Sequence, residues 1–539
     1  MSTAPAPALR PQVGRPVRLS TLAGLAGVTA AEPLPAEVTP AAQPSGDPPA
    51  VAGLRGDLPV TGVTLDSRLV LPGDLYVALP GRHHHGASFT PAAAAAGAVA
   101  VLTDRAGQAL ARSAGLPVLV AEPLREVMAA VAAQVYGRPG DRLQTYAVTG
   151  TNGKTTTSYL LDAALRAAGH RSGTVGTIGF TLDGRPLDGA RTTVTTPESP
   201  ELQALLASLV ERGADSVVME VSSHALVLGR VDALRFDVAA FTNFGRDHLD
   251  FHGDEESYFA AKASLFTPAR TRAVVLNVDD PRGRQLRDQV LATPELELRT
   301  VSLGDEDADY ALLEARPGPE GSTLVRARAE GRPVEFSLGL PGDFNISNAL
   351  TALAMVELAG GDVTAAAPGL AGAAVPGRMQ RVPLGAGAPA VVVDFAHTPQ
   401  AVAAALRALG GRRLVAVLGC GGDRDREKRA PMGAAAAASA SVVVVTDDNP
   451  RSEDPAAIRA QVLAGARSVV GPGAAEVLDG GDRRSAIRRA LALAGPDGVV
   501  AVLGKGHETG QQVGDRLLPF ADAVVVAEEW AALQHGGQP

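Results

Sequence analysis

Gly150-Thr151-Asn152-Gly153-Lys154-Thr155-Thr156 follows an apolar run at 144–148 and opens a helical pattern over 155–168. Strand, glycine-rich turn and helix in that order predict a phosphate loop. Successive backbone N–H groups of such a turn form an anion nest, and the positive end of the helix dipole reinforces it. Lys154 has the charge to neutralise β- and γ-phosphates, and the Thr155 hydroxyl is the type of group that holds Mg²⁺ there. A plain tight turn would require no such combination of glycines, lysine and threonine. The spacing is compact: Gly150 precedes Gly153 by three positions, whereas the usual loop, G-x-x-x-x-G-K-[ST], places its glycines five apart.

Outward from this loop, strands and helices alternate. Strands are expected at 216–220, 238–242 and 273–277, with helices at 155–168, 200–211, 256–266 and 346–359; residues 290–340 are denser in short strands and turns. Such alternation predicts parallel sheets covered by helices. Upstream, strands at 63–65, 75–78 and 99–103 with helices at 92–96 and 127–135 make a smaller α/β unit. Residues 1–18 read as loose, 19–27 as one short element, and 32–59 as a proline-rich loop or insertion. Downstream, the Ala/Gly/Pro-rich stretch 366–377 reads as a hinge. A third unit follows, with strands at 390–394, 414–418, 442–446 and 498–503 and helices at 399–408, 455–464 and 484–494. The expected domains are 1–143, 144–376 and 377–539.

Composition narrows the class. The chain has 539 residues, 46% hydrophobic and 20% charged, with 49 Lys plus Arg against 58 Asp plus Glu. A disordered or fibrous protein is excluded, and the net charge of −9 is not the basic footprint of a general nucleic-acid binder. Cys420 is the only cysteine, so no internal disulfide forms and a reducing compartment is expected. Residues 430–446 are uncharged but short and rich in Ala and Ser, which suits a buried helix and strand better than a membrane span. Arg10, Arg15 and Arg18 are followed by no apolar stretch of the export type. A cytoplasmic, monomeric protein without nucleic-acid or membrane partners is the expectation.

The compact loop resembles that of the Mur ligase family, which activates a carboxylate with ATP as an acyl phosphate and joins it to an amine. Further segments extend the likeness in family order: Glu220-Val221-Ser222-Ser223-His224, Thr242-Asn243-Phe244-Gly245-Arg246-Asp247-His248-Leu249-Asp250, Asn345-Ile346-Ser347-Asn348, Pro376-Gly377-Arg378-Met379 and Asp394-Phe395-Ala396-His397-Thr398-Pro399. The resemblance implies a three-domain α/β architecture with a central P-loop domain and a Rossmann-like C-terminal domain. Within the family it is similar to the members that add the third residue of the peptidoglycan stem peptide. That narrower likeness rests on Asp66-Ser67-Arg68 with Pro72-Gly73-Asp74, Thr195-Thr196-Pro197, Asp448-Asn449-Pro450-Arg451 and Gly504-Lys505-Gly506-His507-Glu508.

The resemblance assigns roles to these positions. Gly150, Thr151, Asn152, Gly153, Lys154, Thr155 and Thr156 cradle ATP, and Asn345, Asn348, Arg378, Asp394 and His397 are nucleotide neighbours. Thr155 and Glu220 are implied Mg²⁺ ligands. His248 and Lys262 would serve a second metal, Lys262 after carbamylation has turned its cation into an anion. Lys154, Glu220, His248 and Lys262 form the implied catalytic set. Read without the family, His248 would be a packing or surface residue and Lys262 a surface salt-bridge lysine. Leu65 and Ser67 are implied near the uridine of a UDP-sugar dipeptide, UDP-N-acetylmuramoyl-L-alanyl-D-glutamate; Thr195, Thr196, Ser222 and Arg230 would hold its remainder. Leu228 stands where the family often has Gln, so one polar contact is missing. His83-His84-His85 reads as a loop near this substrate, because three consecutive residues do not easily face one ion.

Arg424, Asp448, Asn449, Pro450, Arg451, Gly504 and Glu508 are implied to read the incoming amino acid. In the family, D-N-P-R accompanies meso-diaminopimelate, and the physical logic is sound. That amino acid carries a distal carboxylate, which a planar guanidinium grips bidentately. Two alternatives stay open here: the same ligation with L-lysine or L-ornithine, and a P-loop nucleotide-binding regulator without catalysis.

Overall fold

The computed structural model describes residues 9–12, 14–25, 27–30, 57–187, 194–410, 413–471 and 474–535. Residues 32–56 of the expected loop and most of the loose start lie outside them, while Pro59 already belongs to a strand. By packing the chain divides into two compact units: residues up to 311 with 328–332 and 350–369, and residues 312–327, 333–349 and 370 onward.

Besides the short pair Val17–Arg18 and Pro59–Val60, the first unit holds two larger sheets. The smaller has five strands, in the order Val28–Ala30, Val118–Ala121, Ala100–Thr103, Asp74–Ala78 and Gly62–Thr64; only the first is antiparallel to its neighbour. Helix Leu124–Val135 packs on this sheet through Leu124, Val127, Met128 and Val131. In the larger sheet, Ser172–Gly176, Ser216–Glu220, Gln144–Thr149, Phe236–Phe241, Thr271–Asn277 and Glu297–Ser302 lie side by side and parallel. Gly179–Leu182 adds an antiparallel edge to Ser172–Gly176. Gln144–Thr149 is first in the chain yet central in the sheet. The chain leaves it for one side, returns to fill the gap, then crosses to Phe236–Phe241 on the other side. Ligands of open α/β sheets bind at the carboxyl ends of strands where the order reverses, and residues 150–153 occupy that place.

In the second unit a six-stranded sheet runs Gln380–Val382, Ala390–Asp394, Val499–Leu503, Leu414–Leu418, Val442–Thr446 and Glu476–Gly481, with only the first antiparallel to its neighbour. Its central strands are buried on both faces, which explains unbroken runs such as Val-Val-Val-Val at 442–445. Helix Arg483–Ala494 and the C-terminal helix Asp522–Gln534 cover one face. Between them Arg483 and Asp522, both fully buried, make two 2.7 Å hydrogen bonds, and Arg483 also donates to the Leu503 carbonyl. Removing one member of such a pair strands the other charge, at a cost of about 3–5 kcal/mol. Asp522→Ala is therefore expected to lower the unfolding free energy by that amount, read from the slope and midpoint of the urea transition of the full chain by circular dichroism.

The expected elements are present with shifted ends. The helix over 127–135 starts at Leu124 and that over 346–359 at Asp343. Among the elements that escaped the sequence pattern are the strands Val118–Ala121, Ser172–Gly176, Gly179–Leu182 and Glu476–Gly481, and the helices Pro281–Leu291 and Asp522–Gln534. The stretch read as a hinge contains a short helix, Val363–Ala366, and a 3-10 turn, Ala367–Leu370. Among the described residues no helix is long and apolar enough to cross a membrane.

Candidate active site

The phosphate loop is gripped from the neighbouring strand end. Thr151 N–H donates to the Asn243 carbonyl, Asn152 N–H donates to Asn243 Oδ1, and Thr242 Oγ1 and Asn243 Nδ2 both donate to the Asn152 carbonyl. Two of the loop amides thus serve to shape it. Gly150 has φ 146°, and any side chain there would strike Thr242 Oγ1, so glycine is required. Lys154 Nζ arches back over the turn to the carbonyls of Gly150, at 2.8 Å, and Thr151, at 2.9 Å. Thr155 and Thr156 begin the helix Lys154–Ala167, both nearly buried.

Behind the loop lies Glu220, 1% exposed at the end of its strand. Its Oε2 accepts from Thr155 Oγ1 and Thr177 Oγ1, each at 3.0 Å, and its Oε1 from Thr177 N–H at 2.8 Å. A Cβ on Gly176 would collide with this carboxylate. Among the described residues Glu220 has no ion-pair partner. A buried anion held only by neutral donors is costly unless a cation joins it, so Thr155 and Glu220 suit a divalent cation. No group of three or more His, Cys, Asp or Glu among the described residues has metal-binding geometry. An ion here would therefore complete its shell with phosphate and water oxygens, as Mg²⁺ does. Thr195 and Thr196 reach the same node: Thr195 Oγ1 lies 3.1 Å from Thr177 Oγ1, and Thr196 Oγ1 donates to the Glu220 carbonyl at 2.8 Å. Ser222 N–H donates to Thr196, while the Ser222 hydroxyl caps the helix Ser223–Val227. Thr177 was missed in the sequence because the strand it follows was missed; the glycine-spaced run 173–177 was the available signal.

Lys262 is 1% exposed on helix Glu255–Ala263, with Nζ 2.7 Å from the Gly150 carbonyl and 4.5 Å from the Tyr258 ring centroid. Burial, and then the Lys154 cation, hold its amine well below the ordinary lysine range. Tyr258, also missed, ties this helix to the loop through a 3.3 Å contact with Thr151 Oγ1. His248 adopts φ 53° and sets its ring 4.8 Å from that of His224, while burial lowers the pKa of both. Arg230 pairs with Glu198 and donates to the Thr196 carbonyl.

In the first sheet Leu65 packs partly on the apolar core, and neither it nor Ser67 lines the neighbouring cavity of about 150 Å³. Arg10, Thr64, Arg68, Tyr136 and Glu201 do. His85 caps the 3-10 turn Gly86–Phe89 and contacts Asp104, whereas His83 and His84 are exposed, so the three do not converge.

In the second unit Asp394 and the segments 421–424, 448–451 and 504–508 lie beyond the carboxyl ends of adjacent parallel strands. Asp394 accepts from Met379 N–H at 2.7 Å and Ala396 N–H at 2.8 Å, and burial raises its pKa. Two lone-pair sites are thereby used and others stay available to ribose hydroxyls. Arg378 stacks 4.4 Å over the Phe395 ring, beside His507, whose imidazole burial pushes down to about 4. His397 contacts the Phe395 carbonyl. Asn345 and Asn348 share a 3.2 Å hydrogen bond at a helix start.

Past the ends of Leu414–Leu418, Val442–Thr446 and Val499–Leu503 lie 421–424, 448–451 and 504–508. Asn449 Nδ2 donates to Glu508, and fully buried Lys505 donates to both Asn449 Oδ1 and Glu508. The sequence pattern named the segment containing Lys505 but not this lysine. Asp448 Oδ2 is 3.9 Å from Arg483 Nη1, an atom without a hydrogen-bond partner among the described residues. Gly504 packs against Asp448 Oδ2 so closely that a Cβ would stand 2.7 Å from it. Arg451 Nη1 donates to the Gly422 carbonyl at 2.6 Å, and Arg424 is exposed on the facing loop.

Comparison with known proteins follows this geometry. Residues 59–136 match the Mur ligase family catalytic domain, 148–356 the Mur ligase middle domain, and 377–506 the Mur ligase glutamate ligase domain. The chain is 47% identical over 482 residues to the UDP-N-acetylmuramoyl-L-alanyl-D-glutamate–2,6-diaminopimelate ligase of Streptomyces coelicolor, covering 89% of this chain and 94% of that one. A solved structure of a ligase with that same name superposes with TM-score 0.63 at 32% identity, over 89% of this chain and 96% of the other. The Mycobacterium tuberculosis folylpolyglutamate synthase complexed with ADP and AMPPCP shares the fold, with TM-score 0.56 and 22% identity over 76% and 95%.

Proposed function

The chain belongs to the Mur ligase family and has its three-domain α/β architecture, and on that premise we propose that it adds meso-diaminopimelate to the D-glutamate of UDP-N-acetylmuramoyl-L-alanyl-D-glutamate in peptidoglycan precursor synthesis. Enzymes of this family are ATP-dependent. The proposed domains run 1–143, 144–376 and 377–539. The observation that carries the reading is the buried, uncompensated Glu220 carboxylate bonded to Thr155 directly behind the phosphate loop.

In the proposed reaction the substrate carboxylate attacks the γ-phosphorus, giving an acyl phosphate and ADP. The amine of diaminopimelate then attacks the acyl carbon and phosphate departs. Lys154 and the loop amides hold the phosphates, and Thr155 and Glu220 seat Mg²⁺, which offsets the repulsion between the two reacting anions. Lys262 as a carbamate, with His248, would serve a second metal; its burial without a carboxylate partner among the described residues supports that role. Thr195, Thr196, Ser222 and Arg230 orient the UDP-sugar dipeptide, whose uridine end belongs near Leu65 and Ser67. Asn345, Asn348, Arg378, Asp394 and His397 serve the nucleotide. Glu508, fixed by Lys505 and Asn449, accepts from the ammonium group of the incoming amino acid, and Arg451 with Arg424 takes its distal carboxylate.

The test is an amino-acid panel with ATP, Mg²⁺ and the UDP-sugar dipeptide, with products read by mass. Lysine lacks the distal carboxylate, so it forgoes a charge-assisted contact and leaves a guanidinium unpaired. Diaminopimelate is expected to lead lysine by about 2–4 kcal/mol, or roughly 30- to 1000-fold in kcat/KM. Arg451→Ala should erase most of that lead while sparing lysine use. A wild type that prefers lysine or ornithine overturns the choice of amino acid but not the ligation; phosphate release needing neither acceptor would indicate a nucleotide-binding regulator.

A further inference from the structure

Arg451 is one of seven described non-glycine residues at positive φ, with φ 52°. Left-handed backbone at a residue with a Cβ costs on the order of 1 kcal/mol and persists only where neighbours impose it. Here the neighbour is a hairpin, Gly510–Val513 paired with Arg516–Pro519, joined by Gly514-Asp515. Arg451 N–H donates to the Gln512 carbonyl at 3.1 Å, and Gly514 N–H donates to the Arg451 carbonyl at 2.7 Å. Both backbone groups of the strained residue are thus taken by the hairpin.

Two further bonds lock the preceding residues. Gln511 Nε2 donates to the Asp448 carbonyl at 2.7 Å, and Gln512 N–H donates to Asn449 Oδ1 at 2.9 Å. Gln512 faces Leu517 in the hairpin, two places from the loop, where alternation turns N–H and C=O outward instead of across the ladder. Those outward groups are the ones that meet 449 and 451. The hairpin buries little apolar surface of its own: Val513, Leu517 and Leu518 are all exposed.

We propose that the hairpin Gly510–Pro519, through Gln511 and the main chain of Gln512 and Gly514, is the positioning element that holds the 448–451 turn, and with it the Arg451 guanidinium, in the conformation that selects the incoming amino acid. This rests on the amino-acid role given above to 448–451. Gln511 does not touch the amino acid; it acts by fixing the turn that does.

The test is steady-state kinetics on the full chain, with KM measured separately for ATP, for the UDP-sugar dipeptide and for whichever amino acid the wild type incorporates. Gln511→Leu keeps size and removes the donor. It is expected to raise the amino-acid KM about tenfold and to leave the other two constants within about twofold of wild type. Leu517→Ser, on the outer strand, is the control and should change none of them. In an Arg451→Ala background Gln511→Leu should add almost nothing, because its effect passes through the turn that carries the guanidinium. Should Gln511→Leu fail to fold, Gln511→Asn, which retains the amide one methylene short, gives the same split with smaller amplitude. Equal rises in all three KM values, or full additivity with Arg451→Ala, overturn the proposal. Because the readout follows the amino acid actually used, a wild type that takes lysine corrects the functional reading and leaves this test intact.

Discussion

Lys154→Ala and Glu220→Gln each lower turnover by about a hundred- to a thousandfold while leaving the protein folded. Removing one preorganised charge-stabilising group from a transition state costs about 10²–10³ in kcat, and in the proposed reaction each of these residues serves phosphate charge or the cation that offsets it. Glutamine is chosen because Glu220 accepts from Thr155 and from both donors of Thr177. The amide keeps the volume and part of that bonding, whereas alanine would open a cavity beside the loop and confound the result with packing loss. Lys154 raises no such difficulty: its ammonium lies over the loop carbonyls, and the helix it opens is secured elsewhere by buried Leu160, Leu161 and Leu165. Turnover is read as phosphate release coupled to product mass, with thermal melts confirming the fold. A folded variant with near-normal kcat would remove Lys154 or Glu220 from the catalytic set.

Lys262→Ala is expected to be inactive or very slow, and added bicarbonate should not restore it, because no amine remains to take up CO₂. A short carboxylic acid such as acetate should restore part of the activity by occupying the space beside the Gly150 carbonyl and Tyr258 and supplying the missing carboxylate. Native mass spectrometry of the wild type should show one added CO₂, absent from the variant. Normal activity of the variant together with no added CO₂ on the wild type sinks the carbamate.

The strand, loop and helix at the centre of the larger sheet were legible from residues 144–168 alone, since a strand, a compact glycine turn and Lys-Thr-Thr at a helix start have few other uses. Fully buried parallel strands such as 414–418 and 442–446 announced themselves as unbroken apolar runs. The failures share a cause. Ser172–Gly176 mixes two glycines with Ser and Thr because its neighbours approach closely, Leu209 against Gly173 and Glu220 against Gly176, so it carries little apolar signal. Helix Pro281–Leu291 shows three arginines, Gln and Asp to solvent and buries only Gly283, Leu286 and Val290. Helix Asp522–Gln534 reads Val-Val-Val in its first turns, a run with strand preference that packing against the sheet overrides. Within the candidate site, Thr177, Tyr258 and Arg483 escaped because their partners lie tens of residues away in the chain, and such pairings leave no local pattern, whereas Lys505 lay inside a segment the pattern did single out.

The second unit assembles its candidate residues from segments that each begin where a valine- and leucine-rich strand stops. Architecture and recognition are therefore written in separate stretches of chain. A lineage can rewrite 421–424, 448–451 or 504–508 one at a time while the strands that carry them remain under unchanged constraint. Retargeting such an enzyme to another amine then becomes a matter of successive small edits rather than a redesign.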